Sequence, residues 1–186
     1  MLSDGVFAIA ATLLVLELKI PESADHLPIA AALLHVIPSL LAYALSFFVI
    51  ALFWSAYHRA MSLISEVDRP IVYLNLVLLF LISLQPFPTA LLGRYGNTSL
   101  AVALYAIVMA LTGATLRLIW ARATSRPDLL QVDAKTPALR AARLRLSVVS
   151  IVFVLSVPIA YWHPAGAMAC WGLVLVFSLV SRIRHR

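Results

Sequence analysis

Six long stretches of this chain carry almost no charge, and that pattern decides which solvent it can fold in. A soluble domain keeps about a quarter of its residues charged to hydrate its surface. Here 12% of the 186 residues are charged and 63% are hydrophobic, too few polar side chains to cover a water-facing fold. A helix needs about 20 apolar residues to cross the hydrocarbon, where lipid offers backbone groups no hydrogen-bond partner. The pattern predicts an all-α integral membrane protein, a single domain over residues 1–186. Its six transmembrane helices are expected at about 2–19, 29–61, 71–92, 100–122, 144–162 and 165–182. The second is longer than a bilayer requires and holds Pro38 in its first half. A kink or an interfacial segment ahead of the true span is expected there.

The connections fit these limits. Residues 20–28 are bracketed by Pro21 and Pro28, Gly93–Thr98 reads as a turn, and Trp162-His163-Pro164 as a tight hairpin. Ala123–Arg143 is the one long polar stretch, and Ala138–Arg143 within it could form a surface helix. The first apolar run ends in Glu17 and Lys19 without a small-residue cleavage site, which argues against a cleavable signal peptide. The single cysteine, Cys170, excludes an intrachain disulfide.

Basic residues set the orientation. In a six-span layout Arg59, Arg69, Arg117, Arg122, Arg126, Lys135, Arg140, Arg143, Arg145, Arg182, Arg184 and Arg186 share one side, and only Lys19 and Arg94 fall on the other. Both termini are therefore expected in the cytoplasm. The net charge of +6 reads as this asymmetry plus attraction to anionic lipids. It is not read as a nucleic-acid surface, since no binding motif accompanies it.

On a helical wheel at 100° per residue, Ile9, Leu13 and Leu16 fall on one stripe with Thr12 beside it, and Asp4 points nearly the opposite way. Ala8, Ala11 and Thr12 form an arc of small residues that permits close helix contact. By spacing alone the stripe is equally a lipid-facing or core surface. Asp4 can cap the helix and meet its positive end, or it can bind a partner side chain. His26, His35, His163 and His185 lack metal-ligand spacing. Glu17 can draw cations to a channel mouth or pair with Lys19. No nucleophilic triad, phosphate loop or paired intramembrane carboxylate is present, so neither an enzyme nor a cofactor is expected.

The run Leu2-Ser3-Asp4-Gly5, followed by Val6-Phe7-Ala8-Ile9 and Thr12–Leu18, resembles the Phe-Ser-Asp-Gly motif of the transmembrane protein 175 family of potassium channels. Phe53-Trp54-Ser55-Ala56-Tyr57-His58-Arg59 resembles the Trp-x-x-x-His stretch of that family's second helix. Asn75 and Leu84–Leu92 resemble its third. The likeness covers about the first half of the chain. It implies that helix one lines the central pore of a homotetramer, with Ile9 at the narrowest constriction, Leu13 and Leu16 further out, and Thr12 adjoining. It also implies a polar lock in which Ser3 and Asp4 engage His58 and Trp54 or Asn75. Two departures stand out: Leu2 replaces the motif phenylalanine, and the family's arginine would fall ahead of Met1.

The expected function is a potassium-permeable cation channel with an apolar constriction. The chain has no Thr-Val-Gly-Tyr-Gly filter, so discrimination by a carbonyl cage is not expected. Its expected partners are three further copies of itself, lipid including anionic lipid, and permeant potassium as the one metal ion. Its expected location is a prokaryotic plasma membrane. Helix one is expected innermost, with helices four to six nearer the lipid. The alternative is a six-helix secondary transporter or proton-permeable carrier, although the midplane carries few of the ionisable groups such carriers use. A transport-inactive scaffold is the third class.

Overall fold

The computed structural model describes residues 2–20, 28–130 and 137–172, the side chains of 127, 137–147 and 149 excepted. Its chain order is α1 (Leu2–Leu13), a 3-10 turn (Leu14–Glu17), α2 (Ile29–Met61), α3 (Arg69–Ser83), α4 (Pro86–Tyr95), α5 (Ser99–Ser125), α6 (Pro137–Trp162) and α7 (164–172). The part of the expected sixth helix at 173–182 lies outside the described residues.

Four expectations about these helices are refined. The first span is α-helical only to Leu13 and tightens into a 3-10 turn, so Leu16 lies off the regular wheel. The second helix runs unbroken through Pro38. The third span divides at Leu84–Gln85 into α3 and α4, because Pro86 has no N–H and its ring crowds the carbonyl one turn earlier. The fifth helix begins at Pro137, so Ala138–Arg143 continues into α6 instead of forming a separate surface helix. No glycine or proline separates that stretch from Leu144. The joined 69–95 unit, α2 and α5 are each long and apolar enough to cross a membrane.

α5 buries one side in the subunit and leaves Ile107, Leu111 and Leu118 exposed on the other. It packs against α3, α4 and α6, and Val102, Tyr105, Ala106, Met109, Leu116 and Ile119 on it are fully buried. Small residues make that possible. At Gly113 an added Cβ would overlap the side chain of Ser150 on α6, so the two backbones approach as closely as glycine allows. Gly93 on α4 performs the same service against Ser39, where a Cβ would lie 2.9 Å from Oγ and 3.0 Å from Cα. α7 docks through Trp171, whose Nε1 donates to Ser156 Oγ at 2.7 Å and whose ring meets those of Tyr105 and Phe153.

At one end of the bundle, polar contacts tie α3 to the end of α5. Asp68 caps α3 by accepting from the Ile71 amide at 3.1 Å and takes the Arg122 guanidinium at 2.9 Å. Burial alone would push its carboxyl up, but that amide and guanidinium outweigh it and hold the group below its ordinary value. Ser65 adds hydrogen bonds from its amide and hydroxyl to the Leu129 carbonyl, at 2.8 and 3.0 Å.

Candidate pore-lining helix and its polar tether

α1 has two faces of different chemistry. Ser3, Phe7, Ala10 and Leu14 recur at intervals of three or four residues and are buried. That periodicity places them on one side of a 3.6-residue helix, against α2 and α3. On the other side Ile9 is 59% exposed, Leu13 42% and Leu16 62%, although all three are aliphatic. Gly5 shares that face, and a Cβ added there would meet nothing within 4 Å. Such an uncovered apolar stripe requires a lipid, a neighbouring subunit or a narrow pore in front of it. The 3-10 turn keeps Leu16 exposed while burying its neighbour Leu14 completely.

Thr12 lies on the exposed side, and its hydroxyl donates to the Ile9 carbonyl at 2.9 Å. The hydroxyl proton is thereby engaged in the helix, and oxygen lone pairs are what the side chain can offer outward.

The opposite side of the helix start holds the tether. Tyr57 on α2 donates its hydroxyl to Ser3 Oγ at 2.7 Å, and Asn75 Nδ2 on α3 approaches the same oxygen at 3.4 Å. Trp54 Nε1 donates to Asp4 Oδ1 at 3.1 Å. His58 stacks on the Trp54 ring with centroids 5.4 Å apart, and Phe7 stacks on Tyr57 at 5.6 Å. Helix α1 begins at Leu2, so Asp4 sits within its first turn and not at the cap. The carboxylate still faces the positive end of the helix while accepting from Trp54.

Ser3, Asp4, Trp54, His58 and Asn75 are thus brought to one locus, and Ile9, Leu13, Leu16 and Thr12 lie on the exposed side of the same helix. Within the locus, Asp4 accepts from Trp54, and His58 stacks on that indole. Tyr57 was missed by the sequence reading. It lies three residues after Trp54 and therefore on the same face of α2, which was the available signal. A second buried cluster was also missed. Ser46 Oγ lies 3.1 Å from the Tyr105 hydroxyl and 2.8 Å from Thr89 Oγ1, joining α2, α4 and α5. Gln85 beside it is fully buried, and its Oε1 has no partner among the described residues.

Residues 1–86, the segment carrying both the stripe and the tether, match the sequence profile of the family described as "Endosomal/lysosomal potassium channel TMEM175". A protein of Streptomyces collinus named as a potassium channel is 34% identical over 179 residues, 94% of this chain and 87% of that protein. Another from Chamaesiphon minutus, also named as a potassium channel, is 35% identical over 191 residues, 96% of this chain and 91% of that one. The crystal structure of a lysosomal potassium-selective channel TMEM175 homolog from Chamaesiphon minutus superposes with a TM-score of 0.84. Its sequence identity is 30%, with 97% of this chain and 94% of that chain covered.

Proposed function

Because this chain belongs to the TMEM175 family of potassium channels, we propose that it is a potassium-permeable cation channel working as a homotetramer, with α1 of each subunit lining the axis. The observation that carries this reading is the exposed aliphatic stripe of Ile9, Leu13 and Leu16 on a helix whose other face is anchored to α2 and α3. One subunit cannot enclose a path with a single helix, so the pore requires symmetry-related copies.

In this arrangement four Ile9 side chains form the tightest ring, Leu13 and Leu16 form wider rings, and Thr12 adjoins them. A narrow apolar ring offers no ligand to replace lost hydration. Potassium holds its water less tightly than sodium, so partial stripping penalises sodium more. The same ring can interrupt conduction by dewetting when the helices shift. Ser3, Asp4, Trp54, His58 and Asn75, together with Tyr57, set the distance of α1 from the axis. Both termini face the cytoplasm across a prokaryotic plasma membrane in this reading, which places Asp4 and His58 at the cytoplasmic end of the pore.

The test is reconstitution of the purified tetramer into liposomes carrying potassium, sodium or proton gradients. Potassium flux well above that of empty vesicles, with slower sodium flux, is the expected result. No cation flux from confirmed tetramers would remove the channel reading. Saturable flux coupled to protons or to a solute would replace it with a carrier.

A further inference from the structure

A groove of about 430 Å³ runs between α5 and α6, away from the α1 stripe and its tether. At its end nearest the Asp68–Arg122 pair it is lined by Arg117, Trp120 and Ala121. Toward the bundle middle its walls are small or aliphatic: Ala110 and Ala114 on α5, and Ile151, Val154 and Leu155 on α6. The two ends therefore differ in chemistry, one cationic and one apolar.

Two observations at the cationic end remain unexplained by packing. Arg117 is exposed and has no hydrogen bond or ion pair among the described residues, although it stands eight residues inside the end of an apolar helix. That places it roughly 12 Å from the helix end, further into α5 from that end than Arg122. Trp120 beside it is 2% exposed, and its buried indole N–H has no acceptor among the described residues. Both groups are donors without acceptors among the described residues, and both residues line the same groove.

We propose that this groove binds one anionic glycerophospholipid per subunit, its phosphate on Arg117 and one acyl chain against Ala114, Ile151 and Leu155. The head supplies the acceptor oxygens that Arg117 lacks. Arg117 can reach the head because its aliphatic stem lies along apolar surface while the guanidinium extends toward the interface. The polarity of the groove selects the orientation: head toward the basic end of the bundle, tail toward the middle. This site plays no part in the ion path, so it can fail while the channel reading stands.

The experiment is native mass spectrometry of the full chain, delipidated and then titrated with phosphatidylglycerol or with phosphatidylcholine of the same acyl composition. Wild type is expected to retain one phosphatidylglycerol per subunit in preference to phosphatidylcholine. Arg117→Gln should lower phosphatidylglycerol retention about fivefold, the loss of one charge contact. Arg117→Lys should recover most of it. Ala114→Phe fills the tail end of the groove and should weaken retention with Arg117 intact. Arg94→Gln, at the opposite end of the bundle, should change nothing. Melting profiles and oligomer mass confirm that each variant is folded. Equal retention of the two lipids by wild type would overturn the proposal. So would wild-type retention by both Arg117→Gln and Ala114→Phe, or retention of neither lipid because a neighbouring subunit fills the groove.

Discussion

Replacing Ser3 with alanine should destabilise the subunit more than removing the Tyr57 hydroxyl that donates to it. Ser3 Oγ accepts from Tyr57 at 2.7 Å and is approached by Asn75 Nδ2 at 3.4 Å. Ser3 and Tyr57 are 8% and 7% exposed, so neither hydroxyl can turn to water when its partner is lost. Ser3→Ala leaves two donors without their acceptor, and a buried polar group stranded in this way costs about 1–3 kcal/mol. Tyr57→Phe removes one donor while Ser3 keeps Asn75, so its cost should lie near the bottom of that range. Asn75 contributes less because 3.4 Å is a long contact. The double variant should be less destabilised than the sum of the singles. Interhelical hydrogen bonds measured by such cycles in membranes average about 0.6 kcal/mol and reach about 1.7 kcal/mol. The short Tyr57–Ser3 bond belongs toward the upper part of that span. The assay is equilibrium unfolding in mixed micelles of wild type, both singles and the double, at fixed detergent composition. Additivity within about 0.3 kcal/mol would show that the two hydroxyls do not stabilise α1 through each other.

Two further perturbations test the helix packing and end contacts of the bundle. Gly113→Ala should destabilise by about 1–3 kcal/mol, the usual cost of overfilling a packed contact, because its methyl group meets Ser150. Ser150→Ala in the same chain removes the Oγ overlap but keeps the Cβ at 3.1 Å, so it should recover part of that loss in thermal unfolding. A Gly113→Ala variant as stable as wild type would mean that α5 and α6 do not meet there. Asp68 is held below its ordinary value of 3.8, so its tie to Ile71 and Arg122 is fully present above that value and is lost as pH falls through the folded-state value. The melting temperature of wild type should therefore fall in strong acid. Asp68→Asn should fall less steeply, with the remaining slope left to groups such as the similarly depressed Asp128. Parallel acid profiles would remove Asp68 from the account.

The membrane class and the approximate spans are legible in the sequence because hydropathy acts over whole helices, where single errors average out. The polar tether is partly legible. Asp4, Trp54 and Asn75 are polar groups at helix positions where lipid would penalise them without partners. Tyr57 was not, since a tyrosine near a helix end has an equally good interfacial explanation. Its engagement with Ser3 depends on how α1 rotates against α2, which spacing within one helix does not specify. The extent to which the subunit covers α5 was not legible for a related reason. Its Ala101, Ala103, Ala106 and Gly113 are as apolar as lipid, so hydropathy does not separate a helix buried in protein from one buried in bilayer. Pro86 marks the α3–α4 boundary, yet proline alone does not distinguish a kink from a break. The change to a 3-10 turn after Leu13 leaves no sequence mark that we recognise.

The most direct test of the pore assignment is the potassium-to-sodium permeability ratio of Ile9→Asn tetramers, measured under bi-ionic conditions beside Phe7→Asn. Ile9 is exposed, and asparagine keeps similar bulk while offering amide oxygen and nitrogen to a passing ion. Phe7 lies roughly 160° around the helix and is 3% exposed against Tyr57. Ile9→Asn should raise conductance and lower the preference for potassium, because both ions regain ligands at the ring. Phe7→Asn should impair assembly without changing the selectivity of those channels that form. Equal shifts from the two substitutions, or a wild-type ratio in well-folded Ile9→Asn tetramers, would contradict the placement of Ile9 on the conduction path.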